Sequence, residues 1–185
     1  MSNEVIEQLR EKMGSRVDAL KRELVRIRTG RASLSLLDGI TVEAYGSKTP
    51  LNQVATLTIP ESRLIVIQPW DPQMLAVISK AIQATDLGLT PVNDGKVIRL
   101  AIPQLTEERR RELVKKVGKI AEEFKVAVRN VRREAIDLLK KQKKDKEISE
   151  DDLFRLQDEA QKETDLFIKQ IDEIVAGKEK EVMEV

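Results

Sequence analysis

Arg129, Arg132 and Arg133 fall within one helical turn, and Lys125 stands one turn before Arg129. Guanidinium groups crowded in this way repel one another unless an anion meets them, and their planar fork suits a phosphate. The chemistry they suggest is recognition of a polyanion rather than catalysis. The rest of the 185-residue chain argues the same way. It has no cysteine and no histidine, so a thiolate nucleophile, an iron–sulfur cluster, a Cys-type zinc site and a Ser-His triad are all excluded. An enzyme would have to run on carboxylates, Lys or Ser, and for a carboxylate-dependent hydrolase in the middle region only Asp38, Glu43, Glu61, Asp71, Asp86 and Asp94 are available, with no spacing that pairs them. Metal and cofactor sites are not expected. Glu150-Asp151-Asp152 reads as acids opening a helix rather than as a metal site. Gly46-Ser47-Lys48-Thr49 lacks the spacing of a phosphate loop, and Pro50 follows where a helix should start. Aromatic residues make up 3% of the chain, too few for single-strand binding by stacking, and Trp70 is expected to pack.

Helices must carry the arginines. Ile6, Leu9, Met13, Val17, Leu20, Leu24 and Ile27 recur every three or four residues, which predicts a helix over 1–29 ending at Thr29-Gly30. Leu113, Val117, Ile120, Phe124, Val128, Val131, Ala135 and Leu138 predict a second, opened by Thr106-Glu107-Glu108. A third follows Ser149, with Asp152 in the place of the usual capping-box Glu, on a stripe of Leu153, Leu156, Ala160, Thr164, Phe167, Ile171 and Ile174. At ~1.5 Å per residue the second and third would span roughly 50–60 Å. Between the first and second, residues 30–105 hold all six prolines and four β-branched runs, at 40–45, 54–59, 64–67 and 97–102. Asp71-Pro72 is read as the start of a short helix between the third and fourth runs, and Asp94-Gly95 as a turn before the fourth. The expected fold is α+β with two domains: a long three-helix bundle of 1–29 and 106–185, and a small α/β domain, 30–105, inserted at one end. Two thin connections, near Arg28–Arg31 and Pro103–Thr106, suggest a hinge.

Charge is segregated. The whole chain is +1, yet residues 106–147 carry 15 basic and 9 acidic side chains and residues 148–185 carry 5 and 12. Helix two could therefore meet nucleic acid, pair internally with helix three, or meet an acidic protein; Arg28, Arg31 and Arg109 to Arg111 extend the basic surface. A self-associating coiled-coil adaptor and a monomeric closed bundle remain alternatives. No window approaches the ~18 apolar residues of a membrane span, and the polar, acidic start lacks the features of a targeting signal, so a cytoplasmic protein is expected.

Five stretches resemble ribosome recycling factors: Ile27-Arg28-Thr29-Gly30-Arg31-Ala32-Ser33, Leu36-Leu37-Asp38-Gly39-Ile40, Leu105-Thr106-Glu107-Glu108-Arg109-Arg110, Val126-Ala127-Val128-Arg129-Asn130-Val131-Arg132-Arg133, and Lys144-Asp145-Lys146-Glu147-Ile148-Ser149-Glu150-Asp151-Asp152. They stand in order along the whole chain. The resemblance implies an L-shaped, non-catalytic factor of about transfer-RNA size. It would act with elongation factor G and its GTP hydrolysis to split post-termination ribosomes. Arg28, Arg31, Arg129, Asn130, Arg132 and Arg133 would bind ribosomal RNA of the large subunit. Thr29, Gly30 and Arg31, with Pro103, Gln104, Leu105 and Thr106, would form the hinge, and the small domain would meet elongation factor G.

Overall fold

Apolar side chains spaced three and four apart bury one face of a helix, and three such helices make the first unit. In the computed structural model, which describes residues 2–184, they are α1 (Ser2–Val25), α3 (Glu107–Lys144) and α4 (Glu150–Met183), with α2 (Met74–Gln83) elsewhere. The chain divides into two units, one comprising the segment that ends at Ile27 together with Glu107–Glu184, the other Arg28–Thr106.

The seam of the first unit contains Leu9, Met13 and Leu20 of α1, Val117, Val128 and Leu139 of α3, and Leu156, Ala160 and Ile171 of α4. Helix α1 stops at Val25 rather than at residue 29. Arg26 and Ile27 donate to Glu23 and Leu24, the tighter i→i−3 pattern of a helix end. On α3 the stripe drifts: Leu139 is fully buried and Leu138 is 41% exposed, while Ala121 is buried with Ile120 and Phe124 half-covered beside it. Thr164 sits in the α4 stripe because its hydroxyl donates to the Ala160 carbonyl at 2.6 Å.

The α3–α4 turn is closed at both ends. Lys146 takes φ 62°, Lys146 N–H donates to Lys143 and Glu147 N–H to Gln142, a Schellman closure with lysine in the usual glycine place. Ser149 accepts from Asp152 N–H at 3.0 Å and Asp152 accepts from Ser149 N–H at 3.2 Å, so the capping box holds with Asp at its third position.

The second unit is two antiparallel sheets and a helix. A hairpin pairs β1 (Thr41–Ala44) with β2 (Ser47–Pro50). A four-stranded sheet runs in the order β3 (Ala55–Glu61), β4 (Leu64–Pro69), β6 (Ile98–Ala101), β5 (Pro91–Asn93). Ile65, Ile67, Ile98 and Leu100 alternate into its core and meet Ile78 and Ile82 of α2. Strands β2 and β5 go beyond the four expected runs. Each carries a proline at one end and lies where a missing N–H costs nothing, β5 at the sheet edge. Helix α2 begins at Met74, two residues later than Asp71-Pro72 suggests. The Asp71 carboxylate instead accepts from Gln73 N–H at 2.9 Å and closes a turn ahead of the helix. Asp94 accepts from Lys96 and Val97 N–H, making the expected turn before β6; these bonds, Val97 first, hold its carboxyl below the ordinary pKa.

Candidate nucleic-acid interface

One helix supplies the arginine cluster. Helix α3 is 38 residues long, about 57 Å at 1.5 Å per residue, and its interior N–H groups are satisfied within the helix, so side chains on it are held at fixed spacing. Val128, Val131 and Ala135 define the buried direction. Arg132 then lies on the flank toward α4, Arg129 further round, and Arg133 and Asn130 on the outer face.

Their surroundings differ. Arg129 is half-buried and donates to Glu122 at 3.1 Å, two turns back on its own helix. Lys125 pairs with Asp172 of α4 at 2.5 Å. Arg132 is half-buried; its Nη1 donates to Gln161 Oε1 of α4, and Gln161 Nε2 donates onward to Asp165 at 2.8 Å. Its Nε is closed from solvent and meets no acceptor among the described residues. Asn130 and Arg133 are exposed, and among the described residues neither has an ion-pair or hydrogen-bond partner. Pairing between α3 and α4 is therefore real but partial. It takes Lys125 and, near the end of α3, Lys143, which pairs with Glu150 at 3.7 Å, while Arg132 meets an uncharged amide and Arg133 meets no partner among the described residues.

The other basic residues have their own surroundings. Arg109 and Arg111 are engaged on their own helix by Glu112 and Glu107. Arg28 and Arg31 belong to the second unit, where Arg28 donates to the Asp86 carbonyl at 3.2 Å and Arg31 is exposed.

The connecting residues come together. Gly30 takes φ 72°, and a Cβ built on it would meet Leu105 Cγ at 3.1 Å. Ala32 N–H donates to Ser62 and Ile102 N–H to Arg63, both at 2.8 Å, so the two connections are pinned to one β3–β4 turn. Thr29 is buried and Leu105 half-buried, while Pro103, Gln104 and Thr106 are exposed.

Trp70 and Tyr45 are both exposed. Trp70 is 65% exposed rather than packed, with its indole N–H donating to Thr56 at 2.9 Å. Tyr45, at φ 52° in the β1–β2 turn, is 86% exposed and donates to Asp71 at 3.2 Å; that bond raises its pKa. Gly46 after Tyr45 is the one local signal of that turn.

The ribosome recycling factor family model matches residues 20–183. A ribosome-recycling factor from Desulfotalea psychrophila is 70% identical over 99% of this chain and 100% of its own length, and one from Halalkalibacterium halodurans is 57% identical over 100% of both. The chain belongs to the ribosome recycling factor family. A solution structure of a ribosome recycling factor covers all of the chain and 98% of its own with a TM-score of 0.80 at 43% identity. A second, described as models for the T. thermophilus ribosome recycling factor and the E. coli elongation factor G bound to the E. coli post-termination complex, has a TM-score of 0.66 at 45% identity over the full length of both chains. No helix among the described residues is long and apolar enough to cross a membrane.

Proposed function

We propose that this chain acts in the cytoplasm after termination, as a monomer, and splits the post-termination ribosome into subunits with elongation factor G and GTP hydrolysis, freeing mRNA and tRNA. The observation that carries the binding half is the outer face of α3. There Arg133 and Asn130 stand without protein partners among the described residues, and on the neighbouring flank Arg132 meets a neutral amide rather than a carboxylate. A-form RNA is met mainly through phosphates, 2′-hydroxyls and shape, which arginines on a stiff helix can follow without aromatic platforms. Arg28, Arg31, Arg129, Asn130, Arg132 and Arg133 form the proposed contact with large-subunit ribosomal RNA.

The moving half is assigned to Thr29, Gly30, Arg31, Pro103, Gln104, Leu105 and Thr106. The left-handed Gly30 beside Leu105, with both connections tied to the Ser62–Arg63 turn, supports a pivot at this place. The chain itself performs no bond chemistry in this reading. Energy comes from the partner GTPase, and no small-molecule substrate or cofactor is involved.

The test is a subunit-splitting assay on stalled post-termination ribosomes. Splitting is expected only when the chain, elongation factor G and GTP are all present. Splitting unaffected by leaving the chain out overturns the proposal. Binding to large subunits should also fall steeply with salt, and salt-insensitive binding removes the phosphate-led contact.

A further inference from the structure

We infer that Gln161 is a positioning residue for Arg132: its carbonyl oxygen orients the guanidinium without neutralising it, and Asp165 fixes which way the amide faces. This rests on the reading above that Arg132 meets RNA phosphate. The geometry is a chain of three groups. Arg132 Nη1 donates to Gln161 Oε1, and Gln161 Nε2 donates to Asp165 Oδ1 at 2.8 Å. An amide offers one acceptor and one donor end. With the donor end taken by Asp165, one turn along α4, the acceptor end is left for the arginine.

The identity of residue 161 decides the electrostatics. Helix α4 is acidic, and its carboxylates reach other cations: Glu159 and Glu163 hold Arg10, and Asp172 holds Lys125. A carboxylate at 161 would turn Arg132 into another closed ion pair, with its charge spent inside the protein. The neutral amide instead fixes the guanidinium on the flank of α3 at little electrostatic cost. The Nε, shut away without an acceptor among the described residues, contributes no competing anchor. Ordering a long side chain before binding removes part of the entropy that binding would otherwise lose.

The experiment measures binding of the full chain to purified large ribosomal subunits across a salt series, with circular dichroism and melting as folding controls. Gln161→Glu should bind about tenfold more weakly, the effect of losing one charge-assisted contact. The slope of log affinity against log salt should become shallower by ~0.7–0.9, the share of one phosphate. Arg132→Gln should show the same shallower slope. Gln161→Met, which removes the acceptor but adds no charge, should weaken binding by roughly threefold with the slope unchanged, because Arg132 stays charged but unordered. Gln157→Glu puts the same charge one turn earlier and should change both quantities less than Gln161→Glu. If Gln161→Glu keeps the wild-type slope, or if Gln157→Glu matches it, the positioning role is overturned while a loss in Arg132→Gln leaves the RNA reading intact. If Arg132→Gln binds as wild type does, both are overturned. Should Gln161→Glu fail to fold, Gln161→Met decides, and wild-type affinity there overturns the inference.

Discussion

Arg10 on α1 and Arg132 on α3 both lean on the same stretch of α4, and α4 treats them differently. Arg10 is held by two carboxylates, Glu163 at 2.8 Å and Glu159 at 3.1 Å, and the hydrogen bond it donates to Glu163 leads the causes that raise its pKa. Arg132 meets the amide of Gln161, whose other end is tied to Asp165. The Arg10 side chain is 47% exposed and Arg132 is half-buried, so access to solvent alone does not mark the arginine with charge to spare. The partner does. A guanidinium between two carboxylates is matched within the molecule, whereas one beside an amide still lacks a counter-charge. The sharpest way to break this comparison is to reverse the charge at 132. Arg132→Glu should lower affinity for large subunits on the order of a hundredfold, about 3 kcal/mol. Helicity should be unchanged, since Glu is a good helix former. Binding within a fewfold of wild type would place the RNA contact elsewhere.

Gly30 sharpens the comparison by separating binding from movement. At φ 72° an alanine is strained by about 1–2 kcal/mol, and its Cβ would crowd Leu105 Cγ at 3.1 Å. Gly30→Ala is expected to reduce splitting severalfold and large-subunit affinity much less, because Arg129, Arg132 and Arg133 of α3 are untouched and only Arg28 and Arg31 of the proposed contact lie near the change. Equal loss of both in a folded variant would remove the pivot assignment.

Much of this arrangement was legible in the sequence because helical period and capping are local. The stripe through Val117, Val128 and Val131 and the Ser149–Asp152 cap needed nothing from the rest of the chain. What stayed hidden depended on distant partners. Strands β2 and β5 form only by pairing with β1 and β6, which their own prolines and polar residues do not announce. The Schellman closure at Lys146 carries no glycine to mark it. At the candidate site, the arginines were visible as a cluster, but which of them keeps its charge was not. That depends on Glu122, Asp172 and Gln161, and the last two are brought alongside α3 only by helix packing.

A smaller effect tests the turn that delivers α4 to both arginines. Ser149→Ala removes the cap and should cost about 1 kcal/mol. It also carries a pH signature. The Ser149 hydroxyl, and then its N–H, hold the Asp152 carboxyl below the ordinary 3.8. A lowered pKa in the folded state means a contribution fully present above about 3.8 that is lost as pH falls through the lower folded value. The melting-temperature gap between wild type and Ser149→Ala should therefore be widest at neutral pH and narrow well below pH 3.8, where only the bond from Asp152 N–H to the hydroxyl still separates the two. A gap that stays constant with pH would mean that Asp152 is not coupled to the cap.

The smallest expected effect is the counterpart of the largest. Arg10→Gln removes a guanidinium that has two acidic partners and leaves Glu159 and Glu163 facing solvent. Exposed pairs of this kind contribute little, because long side chains lose freedom to form them and water screens the attraction. Melting temperature should fall by no more than about 3 °C. Large-subunit affinity and its salt slope should not move, because the charge removed was already matched inside the protein. A salt slope that drops by one phosphate in Arg10→Gln, as in Arg132→Gln, would show that two carboxylates do not withhold an arginine from RNA. Partner charge would then no longer distinguish the two sites, and the basis for separating them would have to be sought in their positions along the bundle.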